Sequence, residues 1–487
     1  MLRFVLRVRD LVHGTILFTE REQKIINHPF FQRLRQIRQN DVAFYVYPSI
    51  NTSRFEHLLG TCRVAGMMAE NLTKGGEKWE KYFRVLRKQT GIASPEEFIE
   101  LCRLYALLHD VGHFPLSHLF ERAVTKYVES RKPKVNEAEF IREWSGQSGF
   151  QKLHEAFGAL LIERLTRDIS LPGSLQGALE RLMTEKNIPR TDPLSVVKAI
   201  VDSEVDADRI DFVRRDGILA GGEYGNFDVR RLCDSVFMEQ DRWGWRIGYS
   251  EKAITSLEAL LLDRYRSYAW IQFHHRVVAM KTLTRFLIVK ALERGLITKE
   301  HFNPAELYEF ALRDDVWLWN VLRSMEPGDE TTGMIQRAVF YREKKNVLNL
   351  WKNRPAYHAL RRQVEQSAGV RKFNYEPDEA YKMELGNHLG VRALMFFVEF
   401  KPKEEKTVPL YSERDKKLTG KDLADEDVSM LVAGLEKIWK GEPQEFIFLV
   451  GNDVTERAEE LKQKWVAFTA QWVERGGGRQ LSFPLLK

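Results

Sequence analysis

Apolar residues at Leu101, Leu104, Tyr105, Leu107 and Leu108 fall at helical intervals and predict a buried helix over 97–109. It runs into Leu107-Leu108-His109-Asp110-Val111-Gly112-His113-Phe114-Pro115-Leu116-Ser117-His118, where Gly112 and Pro115 interrupt it. The same 3.6-residue spacing predicts helices across most of the chain. One spans Glu20 to Ile26. Next, Phe30, Phe31, Leu34 and Ile37 mark an apolar face, with Arg33, Arg35 and Arg38 between. His57 opens a helix through Val64, Met67 and Met68. Further helices run from His118 to Val128, from Lys152 through Phe157, Leu161 and Leu165, between Pro172 and Pro189, and from Ser256 to Arg294.

Period-two alternation is confined to short stretches. Phe4, Leu6 and Val8, then His13-Gly14 and Thr15 to Phe18, predict a hairpin, and residues 227–250 a strand pair around Trp243 and Trp245. Tyr45 to Pro48 reads as a short extended piece. Residues 73–98 read as a surface excursion ending in the helix cap Ser94-Pro95-Glu96-Glu97. Residues 129–149 read as a polar loop or lid, and Gly217 to Tyr224 as a glycine loop. Residues 300–390 are helical and charged, without recognisable chemistry. Beyond them the pattern changes: strands over Leu394–Phe400 and Thr407–Tyr411, a helix over Glu426–Trp439, a strand over Glu445–Val450, a helix over Val454–Trp472, and a frayed Gly476-Gly477-Gly478 tail. The expected class is mainly α, with a short N-terminal β-hairpin and a small C-terminal α+β unit. The units expected are 1–50, 51–295, 296–390 and 391–487.

Composition narrows the function without choosing it. Of the 487 residues 44% are apolar and 30% charged, which describes a folded chain longer than one comfortable core. A net charge of +6 suits an anionic ligand but does not demand nucleic acid. Cys62, Cys102 and Cys233 are scattered, so neither a disulfide framework nor a zinc ribbon is indicated. No apolar run reaches membrane-spanning length, and the first residues lack signal-peptide character, so the cytoplasm is the default location.

The chemistry gathers at His109, Asp110, His113 and His118. Imidazole and carboxylate suit divalent metals, but satisfied interior histidines account for that stretch equally well. A second acidic run, Val201 to Phe212, would put Glu204, Asp208, Asp211 and Arg215 on one helix face. Stacked carboxylates there need a cation or an arginine between them.

Taken together, several segments resemble the HD-domain metal phosphohydrolases, most closely the deoxynucleoside triphosphate triphosphohydrolase branch. They are Pro29 to Ile37, Tyr47-Pro48, Ser53-Arg54-Phe55-Glu56-His57 with Leu59-Gly60, and His109-Asp110-Val111-Gly112-His113 with Pro115 and Ser117-His118. His154-Glu155 and Asp206 to Phe212 complete them. Given the short stretch before His57, no sterile-alpha-motif domain is expected ahead of the core. The resemblance implies an HD-domain helical core and metal ligands His57, His109, Asp110 and Asp208, holding Mn, Mg, Fe, Zn or Ni. It implies general-acid or orienting roles for His154, His113 and Asp211, with His118 mainly supporting. It also implies substrate contacts from Arg54, Gln39, Arg209, Arg264 and His274. The implied reaction is hydrolysis of a (deoxy)nucleoside triphosphate to nucleoside and triphosphate by metal-activated water.

The alternatives are an HD-domain nucleotidase or phosphodiesterase, a di-iron oxygenase on the same scaffold, and an inert HD scaffold that binds nucleic acid or regulates. Expected partners are the nucleotide and, by resemblance only, further copies of the chain. Single-stranded nucleic acid is expected to bind weakly at most, and a membrane not at all. Four positions depart from the family pattern. Asn40 stands where an apolar residue usually packs near the deoxyribose 2′ carbon, and Phe212 and Gln272 replace tyrosines. Asn27 replaces an aspartate that accepts from guanine, so activation by GTP is not expected.

Overall fold

A computed structural model describes residues 2–131, 137–185, 187–370, 379–397, 408–415, 417–440 and 445–475. The chain is mainly α and divides into two compact units. The first comprises Met1–Ile271, Ala291–Val321 and Lys401–Lys437, and the second Gln272–Lys290, Leu322–Phe400 and Ile438–Lys487.

In the first unit, β1 (Phe4–Asp10) and β2 (Gly14–Thr19) form the expected antiparallel hairpin. Helices α1 (Glu20–Asn27) and α2 (Pro29–Gln32) follow; a 3-10 turn covers Ala43–Tyr45, and turns and a bend stand where the rest of the extended piece was expected. The central helix α3 (Arg54–Leu72) is started by a capping box: the Ser53 Oγ accepts from the Glu56 N–H, and the Glu56 carboxylate accepts from the Ser53 N–H. The cap puts His57 one turn inside the helix, whereas the sequence reading put it at the start. Helix α4 (Glu77–Thr90) buries Trp79, Tyr82 and Leu86, so residues 73–98 are more than a surface excursion. Helix α5 (Pro95–Leu108), capped by Ser94, packs against α3, and both are buried on nearly every side.

Helices α6 (His118–Arg131), α7 (Glu137–Ser145), α8 (Leu153–Ile169), α9 (Gly173–Thr184), α10 (Leu194–Val201), α11 (Ala207–Ala220), α12 (Val229–Asp234) and α13 (Ile254–Arg266) surround that pair. The expected lid therefore contains a helix, α7, with Phe140 and Ile141 buried; residues 132–136 lie outside the described set. Helix α11 runs through Gly217 and stops at Gly221, so the expected glycine loop is half helix. The long helix expected from Ser256 to Arg294 is three pieces: α13, a π-helical stretch Ser267–Gln272, and a helix His275–Glu293.

Strands β3 (Val236–Asp241) and β4 (Gly244–Ser250) form the expected pair. The sheet continues through β7 (Pro409–Ser412), parallel to β4, and β8 (Lys417–Asp422), in the order β3-β4-β7-β8. The second unit holds β5 (Val347–Asn349), β6 (Arg392–Phe397) and β9 (Glu445–Val450), in the order β5-β9-β6. There Trp351 packs on Trp465 with ring centroids 5.4 Å apart. Stretch 391–487, read as one α+β unit, thus supplies strands to two sheets, because β7 pairs with β4 from much earlier in the chain. Residues 398–400 and 407 of the expected strands, and Gly476-Gly477-Gly478, lie outside the described residues. Among the described residues no helix is long and apolar enough to cross a membrane.

Candidate metal centre

Three elements of the first unit converge: the first turns of α3 and α11 and the loop leaving α5. They bring His57, His109, Asp110 and Asp208 together, with one ligand atom from each within 4.8 Å of the others. In each imidazole Nδ1 is engaged away from the cup and Nε2 is turned into it, the orientation a metal ligand needs. The His109 Nδ1–H donates to the Ala106 carbonyl at 2.9 Å, and its buried Nε2 has no hydrogen-bond partner. The His57 Nδ1–H donates to Asp211 at 2.8 Å, and its Nε2 faces Asp208, also at 2.8 Å. An orphaned buried nitrogen, a second imidazole nitrogen and two carboxylates make a donor set that fits a divalent cation. Burial lowers the pKa of His57, but Asp208 and Asp211 outweigh it and lift it to about 9, a measure of how strongly this cup favours positive charge.

Asp211 lies behind His57, fully buried. It accepts from Arg215 through Nε at 3.0 Å and Nη2 at 2.9 Å, and from the His13 Nε2 at 2.7 Å. Burial would raise its pKa; Arg215 and the histidine hydrogen bonds hold it well below the usual carboxylate range. The arginine expected among the stacked carboxylates is therefore present. Glu204 lies before α11, however, off the face the sequence reading gave it, and pairs with Arg264.

Beside the four ligands sits a second group. The His113 Nε2 is 3.3 Å from Asp110, and its ring stacks on His154 at 3.9 Å. Glu121 accepts from the His154 Nδ1 at 2.8 Å, the His154 backbone N–H at 2.6 Å and the His118 Nδ1 at 3.0 Å. His154 is 4% exposed, whereas the His118 side chain is 52% exposed. Burial, with Arg54 and His154 nearby, pushes the His113 pKa well below its ordinary value. Sequence reasoning missed Glu121, although its i, i+3 spacing from His118 on α6 was a usable signal.

The loop between α5 and α6 is held from two sides. The Arg33 Nη2 donates to the His113 carbonyl at 2.6 Å, so this arginine is a buried clamp. Asp315 accepts from the Leu116 N–H at 2.7 Å and the Arg38 N–H at 3.0 Å. Leu116 and Ser117 take φ of 53° and 54°, strained values for residues with side chains, and these bonds hold them there.

The expected phosphate residues are placed as follows. Arg54 is buried, ion-paired with Asp110, and donates to the Ser117 Oγ at 2.8 Å. Arg209 pairs with Asp206, which also caps α11. The Gln39 Oε1 is buried and has no hydrogen-bond partner among the described residues. Asn40 donates to Asp216 at 2.6 Å. His274 and Gln272 belong to the second unit.

Residues 54–205, which carry His57, His109 and Asp110, match the family model of the HD domain, and Asp208 lies three residues beyond the match. The likeness to HD-domain phosphohydrolases drawn from the sequence is thereby upheld. Among relatives, the uncharacterized protein MJ1154 of Methanocaldococcus jannaschii is 28% identical over 319 residues, 66% of this chain and 55% of that protein. The deoxynucleoside triphosphate triphosphohydrolase SAMHD1 of Homo sapiens is 27% identical over 237 residues, 46% of this chain and 35% of that one. The chain thus spans little more than half, or less, of these relatives' length. A crystal structure of a phosphohydrolase from Bacteroides thetaiotaomicron shares the fold, with a TM-score of 0.63 at 21% identity, covering 92% of this chain and 99% of that one.

Proposed function

We propose that this HD domain is a divalent-metal-dependent phosphohydrolase acting on nucleoside triphosphates, with release of nucleoside and triphosphate. The observation that carries it is the four-ligand cup set directly against the His118–Glu121–His154 group. His57, His109, Asp110 and Asp208 would hold the ion. When bound, a divalent ion supplies Lewis acidity at a phosphoryl oxygen and a coordinated water of lowered pKa.

The side chains divide the remaining work. Arg54, fixed by Ser117 and Asp110, presents a guanidinium to a phosphate, and Arg209 adds a second charge beside Asp208. Glu121 accepts from the Nδ1 of both His154 and His118, and the acid or orienting work at the leaving oxygen falls to the buried His154. Burial pushes the His118 pKa down to about 4, so that ring is neutral near pH 7 and supports His154. His113, stacked on His154, helps to orient it, and Asp211 positions His57. Gln39 offers its buried oxygen to the sugar, and Arg264 is a further substrate contact. The preference for a nucleotide over another phosphate ester rests on the likeness to the triphosphohydrolase relatives.

The test incubates the protein with Mn²⁺ or Mg²⁺ and each dNTP and NTP, and separates products by anion exchange. Triphosphate release, lost together with metal binding in His109→Ala, is the expected result. Orthophosphate release would make the protein a nucleotidase. No turnover with any nucleotide, with or without an added effector, would overturn the enzymatic reading.

A further inference from the structure

The N-terminal hairpin packs through β2, where Ile16 and Phe18 are fully buried, while along β1 only Asp10 is buried and Phe4 and Val5 are well exposed. It also brings its turn inward. The Asp10 Oδ1 accepts the backbone N–H groups of Val12 at 2.9 Å and His13 at 2.8 Å, which fixes the turn's shape. The same carboxylate takes a forked pair from Arg215, Nη1 at 2.9 Å and Nη2 at 3.3 Å.

From that anchored turn the His13 Nε2 reaches Asp211, 198 positions along the chain, at 2.7 Å. Asp211 is thereby held on both oxygens. Oδ1 takes His13 and the Arg215 Nη2, and Oδ2 takes His57 and the Arg215 Nε. There is no slack around it. A Cβ on Gly60, one turn after His57, would lie 1.9 Å from the Asp211 Oδ1. A carboxylate that orients a metal-binding imidazole sets the affinity of the site, and loss of such support weakens it about 10–100-fold.

We propose that the N-terminal hairpin is part of the metal centre: His13 is a positioning residue that acts through Asp211 on His57, and the Asp10–Arg215 pair holds the turn that presents it. The proposal rests on the metal-centre reading, so its test reads metal binding in place of turnover. The full chain, stripped with chelator, is titrated with Mn²⁺, the free ion being followed by electron paramagnetic resonance. His13→Ala weakens Mn²⁺ binding about 10–100-fold, while His13→Gln, which keeps an N–H donor, recovers most of it. Ile16→Val, a buried change in the same hairpin that does not touch Asp211, keeps wild-type affinity.

Wild-type affinity in His13→Ala overturns the proposal, as does equal weakening in Ile16→Val. Should the alanine variant not fold, His13→Gln and His13→Leu are compared, since only glutamine can donate; equal affinity in both overturns it. If the wild type binds no Mn²⁺, the metal-centre reading falls first, and this one with it.

Discussion

Gly112, inside the His109–His113 stretch, gives the sharpest test of how the site is held. An alanine Cβ there would lie 2.2 Å from the His154 carbonyl oxygen, 2.3 Å from the Gly158 nitrogen and 2.9 Å from its Cα. An ordinary carbon–oxygen approach is roughly 3.3 Å, so α8 and the loop must part by about 1 Å. The obstacle is backbone, so no flexible side chain can absorb the strain. Overpacking of this kind costs about 1–3 kcal/mol, and the upper end is expected.

The displacement falls on the groups that matter, because His154 stacks on His113 and shares Glu121 with His118. A misplacement of about 1 Å at reacting groups costs on the order of 100-fold in rate. Gly158→Ala is the control: its Cβ meets chiefly the mobile tip of Met183, at 3.1 Å, and should be neutral to within about 1 kcal/mol. Urea unfolding and metal-dependent nucleotide turnover measure both effects. A Gly112→Ala protein with wild-type midpoint and turnover would refute the close-approach reasoning.

Glu121→Gln should lower kcat about 100-fold or more while leaving Mn²⁺ affinity near wild type, because the His154 Nδ1 lies nearest one carboxylate oxygen and the His118 Nδ1 bonds the other, and an amide accepts through only one of its two end atoms; unchanged kcat would remove Glu121 from the proton path. Burial pushes the Asp315 pKa from 3.8 to about 6. The folded state therefore holds this proton more tightly than the unfolded chain, and the associated stability is complete below pH 4 and lost as pH rises through 6. The stability difference between wild type and Asp315→Asn should shift by up to about 3 kcal/mol across that window and level off above it. Urea unfolding at a series of pH values reads the difference, and a flat one would mean Asp315 is ionised throughout.

The gathering of His57, His109, Asp110 and Asp208 was legible because histidine and aspartate in that wording, together with distant companions, are hard to explain as packing. The helices were legible because most are strongly amphipathic. Glu121 carried only its i, i+3 spacing from His118 as a signal, and a glutamate on a helix next to a long polar segment otherwise reads as a solvated face until its partners are known. His13 was read as turn chemistry, and only the tertiary fold shows that its ring reaches Asp211. Asp315 had no local signal at all: its partners, Leu116 and Arg38, are nearly 200 or more positions away. Strand β7 was recognised as a strand, but alternation says nothing about which sheet a strand joins.

The bond from Leu116 to Asp315 has a consequence for biogenesis. A ribosome that has released the His109–His113 segment has not yet made the residue that holds the following loop in its left-handed turn, and the partners of His57 in α11 also emerge about a hundred residues later. The centre is therefore assembled by late, non-local closures, the slow kind. A nascent or prematurely terminated chain ending before residue 315 would carry every ligand of the cup yet lack the brace on its loop.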